Sequence, residues 1–244
     1  MRVAFVGKGG VGKSVIAATV TRLLARRGQP VLALDIDTMP GLVVSLGAIS
    51  GTGTLPEDLA ERRDEQRWVM KTDVAPFELV ERYGATGPDG IRVLVLGKLP
   101  GGVRPDVTAA FRHVVTGFRE HGWSVVGDLA AGTRQACFGW AGFATTVVLV
   151  VEPTAAAVLA ARRLGGLRPA MAEATFLLVA SKVRQATEAR QIAESVGIPL
   201  AGIVPHDERV VEAERAGLAL IDAAPEAPAA QAIGEILSAL EGPR

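Results

Sequence analysis

The stretch "RVAFVGKGGVGKS", Arg2 to Ser14, constrains this 244-residue chain more than any other. A short apolar run, Arg2 to Val6, leads without a spacer into a glycine-rich loop that closes on Lys13 and Ser14. The run reads as a buried strand. After the loop, "KSVIAATVTRLLARRG" places Ile16, Val20, Leu23 and Leu24 at helical spacing, with Arg26 and Arg27 in the last turn and Gly28 as the stop. Residues 7–14 thus fit G-x-x-x-x-G-K-[ST] between a strand and a helix, the context that gives the motif its meaning. Glycines let consecutive backbone N–H groups turn inward around phosphate oxygens, and the helix N-terminus adds a positive dipole end. Gly7, Lys8, Gly9, Gly10, Val11, Gly12, Lys13, Ser14 and Val15 are therefore the candidate cradle. Lys13 is expected to reach the β- and γ-phosphates and the Ser14 hydroxyl to ligate Mg²⁺. The alternative, a glycine turn that binds nothing, does not explain Lys13 and Ser14 in register with both flanks. Lys8, directly after the first glycine, is a second lysine that this motif does not require.

Further apolar runs at 30–37 ("PVLALDID"), 91–97, 123–128, 145–153 and 174–181 read as buried strands, and 201–205 as an edge or near-edge strand. Helices are expected over Asp106 to His121, Ala155 to Leu164, Gln185 to Val196, Glu208 to Ala216 and Ala229 to Leu240. Strand–helix alternation at this spacing predicts an α/β fold. It is a doubly wound, mainly parallel β-sheet flanked by helices on both faces, as in a P-loop NTPase. With no internal repeat or long linker, the chain reads as one domain over 1–244, with a less regular elaboration at about 38–90.

Composition narrows the function classes. An apolar fraction of 49% supports a full core, and 26 Lys+Arg against 26 Asp+Glu leave no net charge. No global electrostatic footprint for nucleic acid or anionic lipid results. The single cysteine, Cys137, makes neither an internal disulfide nor a cysteine-based zinc site by itself, and reads as a small half-buried hydrophobe. The first residues turn glycine-rich too early for a signal peptide. The longest apolar run, Thr146 to Val151, is far short of the ~20 residues of a membrane span. A cytoplasmic protein without a membrane partner is expected.

Acids at strand ends complete the candidate site. "ALDID" ends the second strand with Asp35 and Asp37, which share a face if the strand persists through both. That edge of a doubly wound sheet is where ligands bind. Beside a triphosphate, such carboxylates serve in the Mg²⁺ shell or orient water. "VVGDLAAG" places Asp128 at the end of another buried strand, the position of an acid that holds Mg²⁺ through a coordinated water. Gly132 follows at a spacing suited to a loop whose N–H approaches the γ-phosphate.

With these pieces, "KGGVGKS" resembles the deviant Walker A motif of the ATPase class that includes MinD, ParA, nitrogenase iron protein, arsenical-pump ATPases and CooC nickel-insertion ATPases. The resemblance spans the chain: "VLALDID" is similar to switch I, "VVGDLAAG" to switch II and "GIVPHDERVVEAERAG" to the C-terminal nucleotide-side segment. It implies ATP or ADP with Mg²⁺, and an ATP-dependent homodimer in which Lys8 crosses to the partner's phosphates. It implies that Asp37 orients the attacking water and that Asp128 is the switch II acid. Members often carry Asn-Lys after a late strand, with Asn on the base. Here the pair is Ser181-Lys182, so Lys182 and the backbone of Pro205, Asp207 and Glu208 are the carried-over base-side candidates.

Departures sort the subfamilies. The position of the iron-protein cluster cysteine is Ala131, and one cysteine cannot supply two thiolates per subunit, so no iron–sulfur cluster is expected. A MinD-type basic amphipathic tail is absent: the stripe Ile233, Ile236, Leu237, Leu240 is flanked by Glu235 and Glu241, which suits a packed helix. For a ParA-type DNA surface the candidates Arg162, Arg163, Arg168, Arg184 and Arg190 lie on several elements, and solvated helix faces explain them better. "LVLGKLP" and "DLAAG…VEPT" resemble the CooC-like maturation ATPases. Their Cys-x-Cys pair, however, has no counterpart in Gly97 to Phe111, and His113 and His121, eight apart on an expected helix, do not replace it. The reading is an ATP-hydrolysing dimeric switch that assists maturation of a client (metallo)enzyme. The alternatives are a ParA- or MinD-like positioning ATPase that binds DNA or a scaffold, and a nucleotide sensor that has lost hydrolysis.

Overall fold

The computed structural model describes residues 1–37, 39–47, 49–65, 67–97, 104–132 and 139–242. Cys137 and most of the "KLPGGVRP" loop lie outside the described residues. The chain runs β1 (Arg2–Val6), α1 (Lys13–Arg26), β2 (Val31–Ile36), α2 (Gly41–Leu46), β3 (Ala60–Arg62), β4 (Trp68–Met70), α3 (Pro76–Tyr83), β5 (Ala85–Thr86), β6 (Arg92–Val95) and α4 (Pro105–Gly117). It continues through β7 (Ser124–Leu129), β8 (Thr146–Val151), α5 (Ala155–Gly165), β9 (Thr175–Val183), α6 (Ala186–Val196), β10 (Leu200–Pro205), α7 (Glu208–Ala216), α8 (Leu220–Ala223) and α9 (Pro228–Glu241).

Eight of the described strands form one sheet in the order β10-β9-β8-β1-β7-β2-β6-β5. All neighbours are parallel except β5, which pairs antiparallel with β6. All six residues of β2 and of β7 are buried, so both faces of the sheet are covered. The chain leaves β1 for β2 and β6 on one side, returns to β7, and then builds β8, β9 and β10 on the other. The carboxyl ends of β1, β7 and β2 therefore meet at a crossover, the place where such sheets hold ligands. α1, α2 and α9 pack together along one flank, and α5 and α6 pack on β8 and β9. The apolar stripe of α9 is core: Ile233, Ile236 and Leu237 are buried, and Glu241 pairs with Arg27 at 2.9 Å.

Three expectations shift. The helix expected to reach His121 stops at Gly117, because Phe118 turns into an aromatic cluster with Phe77 and Trp123 and pulls the backbone extended. His121 therefore lies beyond α4, and the two histidines share no helix. His113 Nε2 lies 2.9 Å from the Val74 carbonyl. β2 ends at Ile36, so Asp35 and Asp37 do not share a strand face. Between 39 and 90 the described residues form α2, a β3–β4 hairpin lying on α4, α3, and β5 at the sheet edge. Asp106 clamps this region by accepting the Asp58 N–H at 3.0 Å.

Candidate functional site

The loop after β1 is shaped by backbone that only glycine tolerates. A Cβ at Gly7 (φ +153°) would lie 2.4 Å from the Val150 carbonyl oxygen, so β8 buttresses the start of the loop. Gly12, in the left-handed region at φ 87°, caps α1 and aims its first N–H groups into the loop. Lys13 is the first residue of α1 and 7% exposed. Its Nζ donates to the Lys8 carbonyl at 3.3 Å, closing the loop over itself. Burial lowers the Lys13 pKa, and the negative charges of Asp128 and Asp37 oppose that shift.

Ser14 Oγ donates to Asp128 Oδ2 at 2.6 Å. Asp35 and Asp128 are register partners on adjacent strands, and both are buried. Burial, then repulsion from Asp128, pushes Asp35 up to about 7, although it accepts the Asp37 and Val43 N–H groups at 3.3 and 3.2 Å. Burial raises Asp128 to about 6, with the Ser14 bond and Lys13 working against it. Asp128 Oδ1 is buried with no hydrogen-bond partner among the described residues. An orphaned carboxylate oxygen beside a serine hydroxyl and a lysine fits a small hard cation. Among the described residues no group of three or more His, Cys, Asp or Glu forms a metal cage. A cation here would therefore take ligands from phosphate and water, as Mg²⁺ commonly does. Asp37, just past the strand, accepts the Met39 N–H at 3.0 Å and stands at the rim. Gly132, expected near the γ-phosphate, donates its N–H to the Gly7 carbonyl at 3.1 Å, which docks the segment after β7 onto the loop.

From the loop a cavity of about 420 Å³ extends to the end of β10. Val204, Pro205, Val210, Val211 and Ile233 supply apolar walls, and Lys13, Ser14, Ser181, Lys182 and Asp207 polar ones. The Asp207 carboxylate is committed to structure: it caps α7 through the Arg209 N–H at 3.1 Å and holds the Ala229 N–H at 3.2 Å. Burial opposes its ionisation, but these bonds outweigh that and hold its pKa below the usual value. Ser181 lies against the loop, its Oγ 3.3 Å from where a Gly12 Cβ would be. Lys182 sits at φ 56°, uncommon for a side-chain-bearing residue, and its Nζ donates to the Gly10 carbonyl at 2.5 Å. Lys8 points elsewhere, to Glu152 at 3.8 Å. Nothing in the sequence singles out Glu152, an acid one residue past β8.

A strand, a glycine loop on a helix N-terminus, and acids at the ends of adjacent parallel strands define a P-loop nucleotide-binding protein. The chain belongs to the CobQ/CobB/MinD/ParA nucleotide binding domain family, whose profile matches residues 3–221. It is 28% identical over 236 residues to an uncharacterised ATP-binding protein of Methanocaldococcus jannaschii, covering 89% of this chain and 90% of that one. It is 27% identical over 242 residues to the carbon monoxide dehydrogenase accessory protein CooC of Rhodospirillum rubrum, covering 92% and 91%. Among solved structures, MinD of Pyrococcus horikoshii complexed with Mg-ADP superposes with a TM-score of 0.68 at 18% identity, over 99% of this chain and 96% of that one. The fold is therefore that of the MinD and ParA ATPases. No helix among the described residues is long and apolar enough to cross a membrane.

Proposed function

We propose that the chain is an ATP-binding and ATP-hydrolysing switch that closes as a homodimer and assists maturation or assembly of a client enzyme. One ATPase unit spans 1–244, with 38–90 an elaboration of it. The observation that carries the reading is the direction of two lysines. Lys13 is folded into its own loop, while Lys8 is turned outward, 42% exposed, where it serves no group of its own phosphate cradle. A facing subunit gives that lysine a target. On this reading Lys13 and the backbone of Gly7 to Val15 hold the phosphates. Ser14 ligates Mg²⁺ directly, and Asp128 and Asp37 lie in its outer shell. Asp37 orients water, Lys8 stabilises the partner's transferring phosphate, and Lys182 with the Pro205 and Asp207 backbone borders the base. Mg²⁺ would neutralise charge developing on the phosphate oxygens.

The likeness to CooC supports the maturation role. The DNA-binding alternative draws on the MinD and ParA likeness, but two of its five arginines are already occupied. Arg162 donates to the Ser195 carbonyl at 2.7 Å and Arg168 to the Gly197 carbonyl at 3.5 Å, both at the C-terminal end of α6. The test is specific ATPase activity over a protein dilution series. A trans-acting lysine predicts activity that rises with concentration, by analogy with trans-supplied fingers worth about 10³–10⁵. High activity independent of concentration ends the dimer reading. Asp37→Ala should keep ATP binding and lose hydrolysis, and an ATP-dependent pull-down with that variant should capture the client. ATP-dependent, steeply salt-sensitive retention on non-specific DNA would instead favour the positioning alternative.

A further inference from the structure

Glu152 occupies a place between two lysines of the phosphate loop's surroundings. Its Oε1 lies 3.8 Å from Lys8 Nζ, and its Oε2 lies 4.0 Å from Lys182 Nζ. The carboxylate is only 17% exposed, against 42% for Lys8 and 47% for Lys182. Thr154 Oγ1, the N-cap hydroxyl of α5, donates to Oε1 at 3.3 Å and fixes the carboxylate's orientation. The backbone beneath it is equally fixed. Val150, two residues earlier, has its carbonyl so close to Gly7 that a Cβ there would stand 2.4 Å away. Glu152 therefore cannot drift from the loop without moving a central strand. Lys182 is held just as firmly, by its left-handed backbone and by its bond to the Gly10 carbonyl. Of the three side chains, only Lys8 has no second anchor among the described residues.

We propose that Glu152 is a positioning residue that holds Lys8 on its own subunit, and that Lys182 takes over Glu152 when Lys8 swings to a partner. The proposal rests on the dimer reading above. The asymmetry of the triad gives the exchange its physical logic. If Lys8 were the only partner of Glu152, its departure would leave a largely buried carboxylate bare, and closing the dimer would be opposed by that desolvated charge. With Lys182 already 4.0 Å away on the other oxygen, the carboxylate stays paired in both states. Only the weak, screened Lys8 pair is given up. Glu152 then sets a threshold: closure proceeds when the partner's nucleotide attracts Lys8 more strongly than Glu152 does. Two loops, each ending a different strand, are thereby tied to one side chain's choice of partner.

The experiment measures association in the presence of Mg²⁺ and AMPPNP by sedimentation equilibrium, so that hydrolysis plays no part. An exposed pair of this length contributes about a two- to five-fold effect, and two copies release together in a symmetric dimer. Glu152→Gln should therefore tighten the dimer by about 4- to 25-fold at low salt, and the gain should shrink as ionic strength rises. Glu152→Asp keeps the charge but shortens the reach to Lys8, and should lie between wild type and Gln. In a Lys8→Ala background, Glu152→Gln should change nothing, because the carboxylate acts through the lysine. Unchanged or weaker association in Glu152→Gln overturns the proposal, as does an equal effect with and without Lys8. If Lys8→Ala itself dimerises like wild type, Lys8 does not hold the dimer by crossing to the partner, and that part of the reading falls and takes the proposal with it. If Lys8→Ala abolishes the dimer while Glu152→Gln is neutral, the proposal alone fails.

Discussion

The two ends of α1 treat charge in opposite ways. At the C-terminal end Arg22, 3% exposed, has Nε on Asp89 at 2.6 Å, both terminal nitrogens on Asp222 at 2.7 and 3.0 Å, and a further bond to the Leu46 carbonyl at 2.9 Å. Arg26 adds contacts to the same two acids. Every one of these charges is answered, and the cluster ties α1 to α2, to the turn before β6 and to α8. About 14 Å from Arg22 along the helix, Asp128 keeps a buried oxygen unpartnered among the described residues, Asp35 stands against it, and Lys13 makes do with a backbone carbonyl at 3.3 Å. Saturated charge is structure. Unsaturated charge at a sheet crossover is capacity for a ligand.

Breaking the saturated end should cost the most stability. Arg22→Ala removes a buried cation from two partly hydrated carboxylates and should destabilise the fold by about 3 kcal/mol, the low end for a broken buried pair. Calorimetry should then show a melting temperature lower by roughly 6–12 °C for a chain of this size. A shift under a degree or two would mean the cluster is ornamental. At the other end, Lys13→Ala should leave melting close to wild type but weaken nucleotide binding by about 1.5–3 kcal/mol, measured by titration calorimetry with Mg²⁺ and ATP. Equal losses in both quantities would erase the contrast between the ends.

The pH response sharpens it further. Asp35 and Asp128 have folded-state pKa values of about 7 and about 6, raised from 3.8. Their protonated forms are favoured by the fold, so this stabilisation is complete below 3.8 and is lost as pH rises through 6 to 7. Asp222 runs the other way. Burial raises it, but Arg22 and Arg26 prevail and its pKa is lowered, so its contribution is present above 3.8 and lost as pH falls below. Denaturant titrations without nucleotide and with a chelator should show Asp35→Asn flattening the upper limb and Asp222→Asn the lower. Added Mg²⁺ and nucleotide should restore stability on the upper limb alone. The smallest effect expected is from Asp207→Ala, which removes one cap and should cost about 1 kcal/mol, with nucleotide affinity little changed because its carboxylate is committed to the Arg209 and Ala229 N–H groups.

What the sequence revealed divides along similar lines. β1, β2, β7 and β8 were legible because strands covered on both faces read as unbroken apolar runs, and the loop because its glycines and Lys13-Ser14 are contiguous. β9 was read too short, since Lys182 interrupts the apolar pattern yet continues the strand with a left-handed residue. The β3–β4 hairpin escaped because "AER" and "WVM" are too short and too mixed for any period. Arg22 was hidden for a different reason: its partners Asp89 and Asp222 lie 67 and 200 residues away, and a helix register says nothing about them. Glu152 is the same case within the site, an acid whose meaning depends on where two lysines from other loops come to rest.

The sheet order also bears on how the chain is made. β1 is made before every other strand of its sheet, yet it lies between β7 and β8, with Arg2 opposite Val125 and Val3 opposite Thr146. Until residues beyond 124 are synthesised, both of its edges are bare, and neither β2 nor β6 can cover them, since β7 separates them from β1. An apolar strand with two free edges until β7 is made invites pairing with the wrong chain. Slowed elongation, or truncation before β7, should therefore send this protein to chaperones or aggregates, and the phosphate loop that follows β1 becomes dependable only once β7 and β8 exist.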